Sequence, residues 1–209
     1  MTIHAIEQAA RLIKVPYLVH FTRVTNLPSI LQHGIYPISR AHEIEATPAI
    51  NDTLRLDGHL DATSLSIAFP NCRMFWRYRQ DNPNVDWVVL AIHPSVLWTK
   101  NCAFCRFNAA DARISRQLIN QLKTSASFVG MFEEIDGFAS REEQRLNQYD
   151  PTDVQAEVLA FDIIEPELIT GAAFNKAAVM DSYRGILGDR KLILSGENQD
   201  YFASRSYVR

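Results

Sequence analysis

Tyr17-Leu18-Val19-His20-Phe21-Thr22, followed by Asn26-Leu27-Pro28-Ser29-Ile30-Leu31 and then Gly34, is the stretch on which the fold turns. Its first six residues read as a strand in which His20 and Thr22 share one face. Thr25 or Asn26 then caps a short helix, with Pro28 in its first turn and Gly34 just past its end. Leu27, Ile30 and Leu31 form the apolar stripe of that helix. Both His20 and Thr22 offer hydrogen bonds of the kind a ligand amide or sugar hydroxyl needs. Alone, the triplet His20-Phe21-Thr22 would be an ordinary strand end; the adjoining helix makes it part of a strand-loop-helix clamp. Much later, Gln155-Ala156-Glu157-Val158-Leu159 sets a lone carboxylate in an apolar strand. If the two strands meet in one sheet, His20 and Glu157 line opposite walls of one crevice around a single ligand.

Working outward, Ile3, Ile6, Ala10 and Ile13 recur at helical spacing before the first strand. Residues 36–61 form a long polar connection, a kind of segment that is usually functional inside a compact domain. Ser64–Phe69 reads as a short strand, Met74–Gln80 as a helix, and Trp87–Ile92 as a strand buried on both faces. A helix over Asp111–Leu122 comes next, then a polar loop region over 124–154 with isolated Phe128, Phe132 and Phe138 and a polar helical turn. Strand Gln155–Phe161 follows, and then a strand, helix, strand ending over 168–194. No repeat or linker divides the 209 residues, so the expectation is one α+β domain over 1–209.

Composition is that of a globular protein, 47% hydrophobic and 22% charged. No apolar run approaches the roughly 20 residues that span a bilayer. The start lacks a basic segment leading into an apolar stretch and a cleavage site, and three cysteines make no disulfide framework; both predict a cytoplasmic setting. The net charge of −3 is unevenly spread. Lys and Arg against Asp and Glu count 5 to 6 over residues 1–70, 8 to 3 over 71–124 and 8 to 15 over 125–209, giving −1, +5 and −7. The basic middle segment is a candidate contact for a polyanion, against the alternative of an ordinary solvated surface.

Individual residues carry competing readings. Glu157 is either a solvent-facing residue beside Gln155 or a carboxylate in a cleft, where burial makes it a useful base. Arg55, in the loop with Asn51, Asp52 and Thr53, suits a pyrophosphate through paired hydrogen bonds. Arg73 and Arg77 interleave with Phe75, Trp76 and Tyr78, a mixture that fits either single-stranded nucleic acid or an amphipathic core helix. Arg113 and Arg116 are further basic candidates. Cys102-x-x-Cys105 lacks a second paired motif, so two reduced structural cysteines and no metal are expected.

Taken in order, His20-Phe21-Thr22-x-x-x-Asn26-Leu27-Pro28-Ser29-Ile30-Leu31-x-x-Gly34, Asn51-Asp52-x-x-Arg55, Ser64-Leu65-Ser66-Ile67-x-Phe69-Pro70-Asn71-x-x-Met74-Phe75 and Gln155-Ala156-Glu157-Val158-Leu159 resemble the DarT toxins, bacterial DNA ADP-ribosyltransferases of DarT–DarG toxin–antitoxin systems. The resemblance runs over roughly residues 17–175. It implies an ADP-ribosyltransferase-like split β-sandwich, two small antiparallel sheets with flanking helices and NAD between them. It implies transfer of ADP-ribose from NAD to a base, thymidine, in single-stranded DNA, with RNA, protein or mere nucleic-acid binding as alternatives. By position, it implies that Glu157 is the catalytic glutamate, assisted by Arg55. His20, Thr22, Asn26, Leu27, Arg55 and Met74 would hold NAD; Arg73, Arg77, Arg113 and Arg116 would contact DNA. A DarG-like macrodomain antitoxin would be the partner.

Overall fold

The computed structural model describes residues 2–44, 49, 58–196 and 200–209. Seven strands form one sheet in the order β4-β5-β2-β1-β3-β6-β7. They are β1 Leu18–Arg23, β2 Thr63–Ile67, β3 Trp87–Ile92, β4 Cys102–Cys105, β5 Glu157–Ala160, β6 Ile169–Phe174 and β7 Lys191–Leu194. All pairings are antiparallel except β6 with β7. That parallel pair is joined by helix α8 (Ala177–Leu187), as a parallel connection requires a crossover.

The two expected sheets are present as halves of this one order, joined through β2. That strand pairs with β1 through Ser66 and Ile67 but with β5 through Thr63, Ser64 and Leu65. Each of its residues therefore serves mainly one half, and the β1–β2 ladder has only two rungs.

Side-chain alternation fills both faces. Leu18, Leu65, Ile67, Val88, Leu90, Ile92, Val158 and Phe174 enter the main core. Over it lie α1 (Thr2–Ile13), α2 (Leu27–His33), α4 (Val96–Thr99), α7 (Ser125–Gly130) and α8, contributing among others Ile6, Leu27, Val96, Phe128 and Leu187. On the other face Val19, Trp87, Val89 and Ala173 pack under α3 (Cys72–Asp81) and the C-terminal Tyr201 and Phe202. A third, small core joins Ala103, Cys105 and Leu159 to Ile114 of α5 (Ala112–Ser115) and Leu122 of α6 (Ile119–Leu122).

Three local features depart from the sequence reading or add to it. The predicted helix over 111–122 breaks into α5 and α6, with Leu118 extended between them. The Gln117 side chain donates to the Arg113 carbonyl and the Gln121 side chain accepts from the Leu118 amide, so side chains close a break that a continuous helix would not contain. Cys102–Cys105 is a strand, β4. Its two end sulfurs leave on opposite faces, Cys102 into the main core and Cys105 into the small one. Burial pushes the Cys102 thiol up to about 12, which keeps it protonated. The segment 124–154 contains α7, whose Phe128 is fully buried.

Gly34 ends α2 with φ +97° and hands the chain to a two-way bridge in which Ile35 and Ile164 exchange backbone hydrogen bonds of 2.9 and 3.1 Å. A Cβ at position 34 would lie 2.4 Å from the Ile164 carbonyl oxygen. Gly34→Ala combines that clash with a left-handed backbone, and is expected to destabilise the fold by about 2 kcal/mol or more, lowering the melting temperature by about 5 °C or more in a thermal denaturation scan.

Candidate active site

The ladder between β1 and β2 stops at Val19–Ser66, and His20 lies one residue beyond it. Its Nδ1 sits 3.1 Å from the Ser64 carbonyl oxygen, so the imidazole bridges the two halves of the sheet at the point where they part. Main-chain direction alternates along a strand. The Val24 amide donates to Asp86 at the end of β3, and the Tyr17 carbonyl accepts from Ala68 at the end of β2. By that alternation the N–H and C=O of Phe21 point toward β2, beyond the last rung of the ladder. A strand edge of this kind offers one donor and one acceptor to a ligand.

Below the split, Thr22 is buried and its Oγ1 accepts from Asn26 Nδ2 at 2.9 Å. Asn26 also donates to the Ala49 carbonyl (3.1 Å) and accepts from the Ala49 amide (2.9 Å). Both N–H groups of its amide are thereby used, and it acts as a clamp between β1 and the residue at 49. Leu27 is fully buried in the main core. Among the described residues the side chains of Asn26 and Leu27 thus serve to fix α2.

Glu157 opens β5 and is only 4% exposed. Oε1 accepts from Asn108 Nδ2 at 3.1 Å and Oε2 from the Ala109 amide at 2.9 Å. Asn108 is itself locked, because its Oδ1 accepts from the Ala110 amide at 3.0 Å. A buried carboxylate is tolerable only when its oxygens are held in this way. The solvent-face reading of Glu157 therefore does not hold.

His20 and Glu157 flank β2 from its two sides, about 10 Å apart at two strand spacings. Alternation sends His20 to the main-core face, with Leu18, and Glu157 to the face of Leu159. They do not confront each other across a simple crevice; what lies between them is the parting of the sheet. Arg55, with Asn51, Asp52 and Thr53, lies outside the described residues.

Met74 is half-buried in the first turn of α3. Its amide donates to the cap Asn71 (3.1 Å), and the Asn71 amide is held by Ser66 Oγ at 3.2 Å, so this turn is tied to the last β1–β2 rung. Arg73 and Arg77 point outward from α3, Arg77 toward Asp81 at 3.8 Å. Arg113 binds Asp111 at 2.8 Å and covers the Phe107 ring at 3.5 Å; those hydrogen bonds hold the Asp111 carboxyl down to about 2. Arg116 is exposed. Among the described residues no group of three or more His, Cys, Asp or Glu is placed to hold a metal ion.

Sequence reasoning missed Asn108 and Ala109, which lie 48 and more residues from Glu157 and carry no motif. It also missed the arginines that fix the approach to β5. Arg141 reaches the carbonyls of Asn147 and Asp150 and the Thr152 hydroxyl, and Arg205 reaches the carbonyls of Pro151 and Thr152. Arg209 grips the fully buried Asp150 carboxylate with two hydrogen bonds of 2.6 and 2.9 Å. Only the clustering of three arginines around one segment in space reveals this role.

A family model described as "ssDNA thymidine ADP-ribosyltransferase, DarT" matches residues 19–202. Among solved structures, Thermosipho africanus DarTG in complex with ADP-ribose superposes with a TM-score of 0.59 at 16% identity, over 89% of this chain and 50% of that one. The chain thus spans half the length of that relative. Thermus sp. 2.9 DarT in complex with ADP-ribosylated ssDNA gives 0.56 at 14% identity, over 87% and 94%. The same protein with NAD+ gives 0.54 at 12% identity, over 87% and 96%. At such identities the likeness shows the fold. No match is found among curated proteins.

Removing one partner of a buried ion pair strands the other charge. Arg209→Ala is expected to destabilise the protein by about 3 to 5 kcal/mol in urea denaturation, and Asp150→Asn also destabilises it, because the partners of the carboxylate are N–H donors and an amide keeps only one accepting oxygen among them.

Proposed function

The chain belongs to the DarT family of ssDNA thymidine ADP-ribosyltransferases, and on that premise we propose that it moves ADP-ribose from NAD to thymidine in single-stranded DNA, with the split between β1 and β2 as the seat of the dinucleotide. The observation that carries this reading is the two-rung ladder, beyond which the main-chain groups of Phe21 face β2 with no ladder partner among the described residues.

The residues present fit NAD. The carboxamide of its nicotinamide needs one donor and one acceptor, and the N–H and C=O of Phe21 supply them side by side. His20, held by Ser64, lines the same opening and meets a ribose hydroxyl. Thr22 and Asn26 keep β1 and α2 in register beneath it, and Leu27 anchors α2. Met74 closes the first turn of α3 beside the opening. Arg55 takes the pyrophosphate, as its place in the motif implies.

Breaking the nicotinamide–ribose bond sends the bonding pair to the pyridine nitrogen and leaves positive charge on the anomeric carbon. A fixed carboxylate stabilises that charge at no reorganisation cost. Glu157, with both oxygens held by Asn108 and Ala109, is fixed in this sense. The acceptor base has one ring N–H, at N3 of thymine. As N3 bonds to the anomeric carbon its proton passes to Glu157, and nicotinamide departs neutral.

The whole of residues 1–209 acts as one such domain. Arg73, Arg77, Arg113 and Arg116 meet phosphates of the DNA, Arg113 through exchange of its Asp111 contact. A DarG-like macrodomain protein is the proposed antitoxin, in keeping with the likeness to Thermosipho africanus DarTG. The cytoplasm is the proposed setting, in keeping with three buried cysteines that form no disulfide; among the described residues no helix is long and apolar enough to cross a membrane.

Glu157→Gln keeps the size of the side chain and one of its two accepted hydrogen bonds, sets its NH2 against an N–H donor and removes the base, and should cut transfer by about 10² to 10⁴-fold. Mass spectrometry of nucleosides from a thymidine-containing oligonucleotide treated with enzyme and NAD measures this, and labelling at the wild-type rate would sink the assignment. Asn108→Ala should lower kcat by about 10-fold or more while the KM for NAD barely moves, because it frees the carboxylate without touching the seat of the dinucleotide. A rise in KM alone would assign Asn108 to binding instead.

A further inference from the structure

Helix α3 has two unlike faces. Phe75 is fully buried, stacked on Phe21 at 4.6 Å and packed against Trp87 and Phe202. The opposite face carries Arg73, Trp76 and Arg77, all exposed, and Trp76 is 59% exposed. Of the three tryptophans, Trp87 is buried in the second core and Trp98 is half-buried against the main one. A single exposed apolar residue is ordinary, but an aromatic ring set among cations is the pairing that suits an unpaired nucleic-acid strand. Here the rim is cationic: position 73 lies one turn before Trp76 and Arg77 is its neighbour.

We propose that Trp76, flanked by Arg73 and Arg77, is a stacking platform for a nucleotide of the single-stranded DNA that neighbours the modified one. Aromatic faces stack any base, and cations beside them take the backbone; together they are the usual surface for unpaired strands. The charges are available. Among the described residues no carboxylate pairs with Arg73, and Arg77 meets Asp81 only at 3.8 Å with both side chains exposed, a weak contact that a phosphate can displace. The position is apt as well. Asn71, which starts α3, hangs by its amide from Ser66 on the last β1–β2 rung, so the helix grows out of the end of the split. DNA whose target base enters the split leaves it over this helix. The platform gives the strand a grip that is independent of base identity, while the split selects the base.

This inference rests on single-stranded DNA being the acceptor, and the test separates the two. The full chain, without NAD, is titrated with a thymidine-containing single-stranded oligonucleotide while tryptophan emission is read. The wild type should show quenching, and Trp76→Phe should lose that quenching while still binding. Trp76→Ala should weaken the Kd by about 10-fold or more with an unchanged salt slope. Arg73→Gln and Arg77→Gln should each lower the slope of log K against log salt by about 0.7. In transfer assays Trp76→Ala should raise the KM for the oligonucleotide and leave kcat and the KM for NAD unchanged. Wild-type transfer accompanied by unaltered Kd and KM in Trp76→Ala, or full quenching retained by Trp76→Phe, overturns the platform alone. Failure of the wild type to bind or modify the oligonucleotide overturns the DNA reading, and the platform with it. If antitoxin binding but not DNA binding suffers in Trp76→Ala, the face belongs to a protein partner and the proposal is wrong.

Discussion

The short ladder between β1 and β2 is the constraint from which the rest of the molecule follows. A strand within a sheet normally satisfies its main-chain groups on both sides, because an unmade hydrogen bond inside a protein is expensive. Here β2 divides its residues, Ser66 and Ile67 serving β1 and Thr63 to Leu65 serving β5. Such an arrangement leaves part of the β1 edge unladdered, and it persists only if each half is held firmly from outside. The long β1–β3–β6 ladders hold one half and the β4–β5–β2 ladders the other, each with its own packed faces. His20 crosses the gap to Ser64 and sets how far the halves part.

Glu157 is fixed by forces of a different kind. Its strand has only four residues, too few for the ladder alone to define where it begins. The preceding segment is therefore tied by charge. Arg141 and Arg205 take carbonyl oxygens that have no strand or helix to pair with, and Arg209 neutralises the buried Asp150, whose Oδ2 also accepts from the Asn147 amide. With that segment immobilised, the loop after β4 can present Asn108 and Ala109 to the carboxylate. Pre-organised donors of this sort are how a site holds a charged group still inside a low-dielectric region.

Much of this was legible in the chain. The β1–α2 unit announces itself through alternation, Pro28 and Gly34, and β3 through an unbroken apolar run that matches burial on both faces. Glu157 stood out because a carboxylate has no place in an apolar strand unless something holds it. What was illegible depends on distance in sequence. β4 has four residues with no alternation visible to a reader, and its two cysteines suggest a metal motif that its geometry divides between two faces. The break between α5 and α6 could not be read from period either. Ile114, Leu118 and Leu122 follow helical spacing, yet Ile114 and Leu122 are buried while Leu118 is 73% exposed, because two glutamine side chains stabilise the interruption. Phe128 looked like an isolated loop aromatic and is core, since α7 has only six residues and little pattern to display.

The charge count illustrates how tertiary structure redistributes what composition suggests. Five surplus positive charges in residues 71–124 point to a polyanion, but not all of them face outward. Arg79 turns under α3 to the Phe202 carbonyl and lies over the rings of Phe75 and Phe202. Arg106 is engaged with the carbonyls of Glu133 and Glu134, Lys100 with Glu165, and Lys123 sits over Phe161. The choice between an amphipathic core helix and a nucleic-acid surface for 72–81 is thereby dissolved: the aromatic residues at 75 and 78 pack inward, and the residues at 73, 76 and 77 face solvent. A single helix thus closes the second core and offers cations with an aromatic ring to the outside, because a 3.6-residue period leaves both faces free to be written separately.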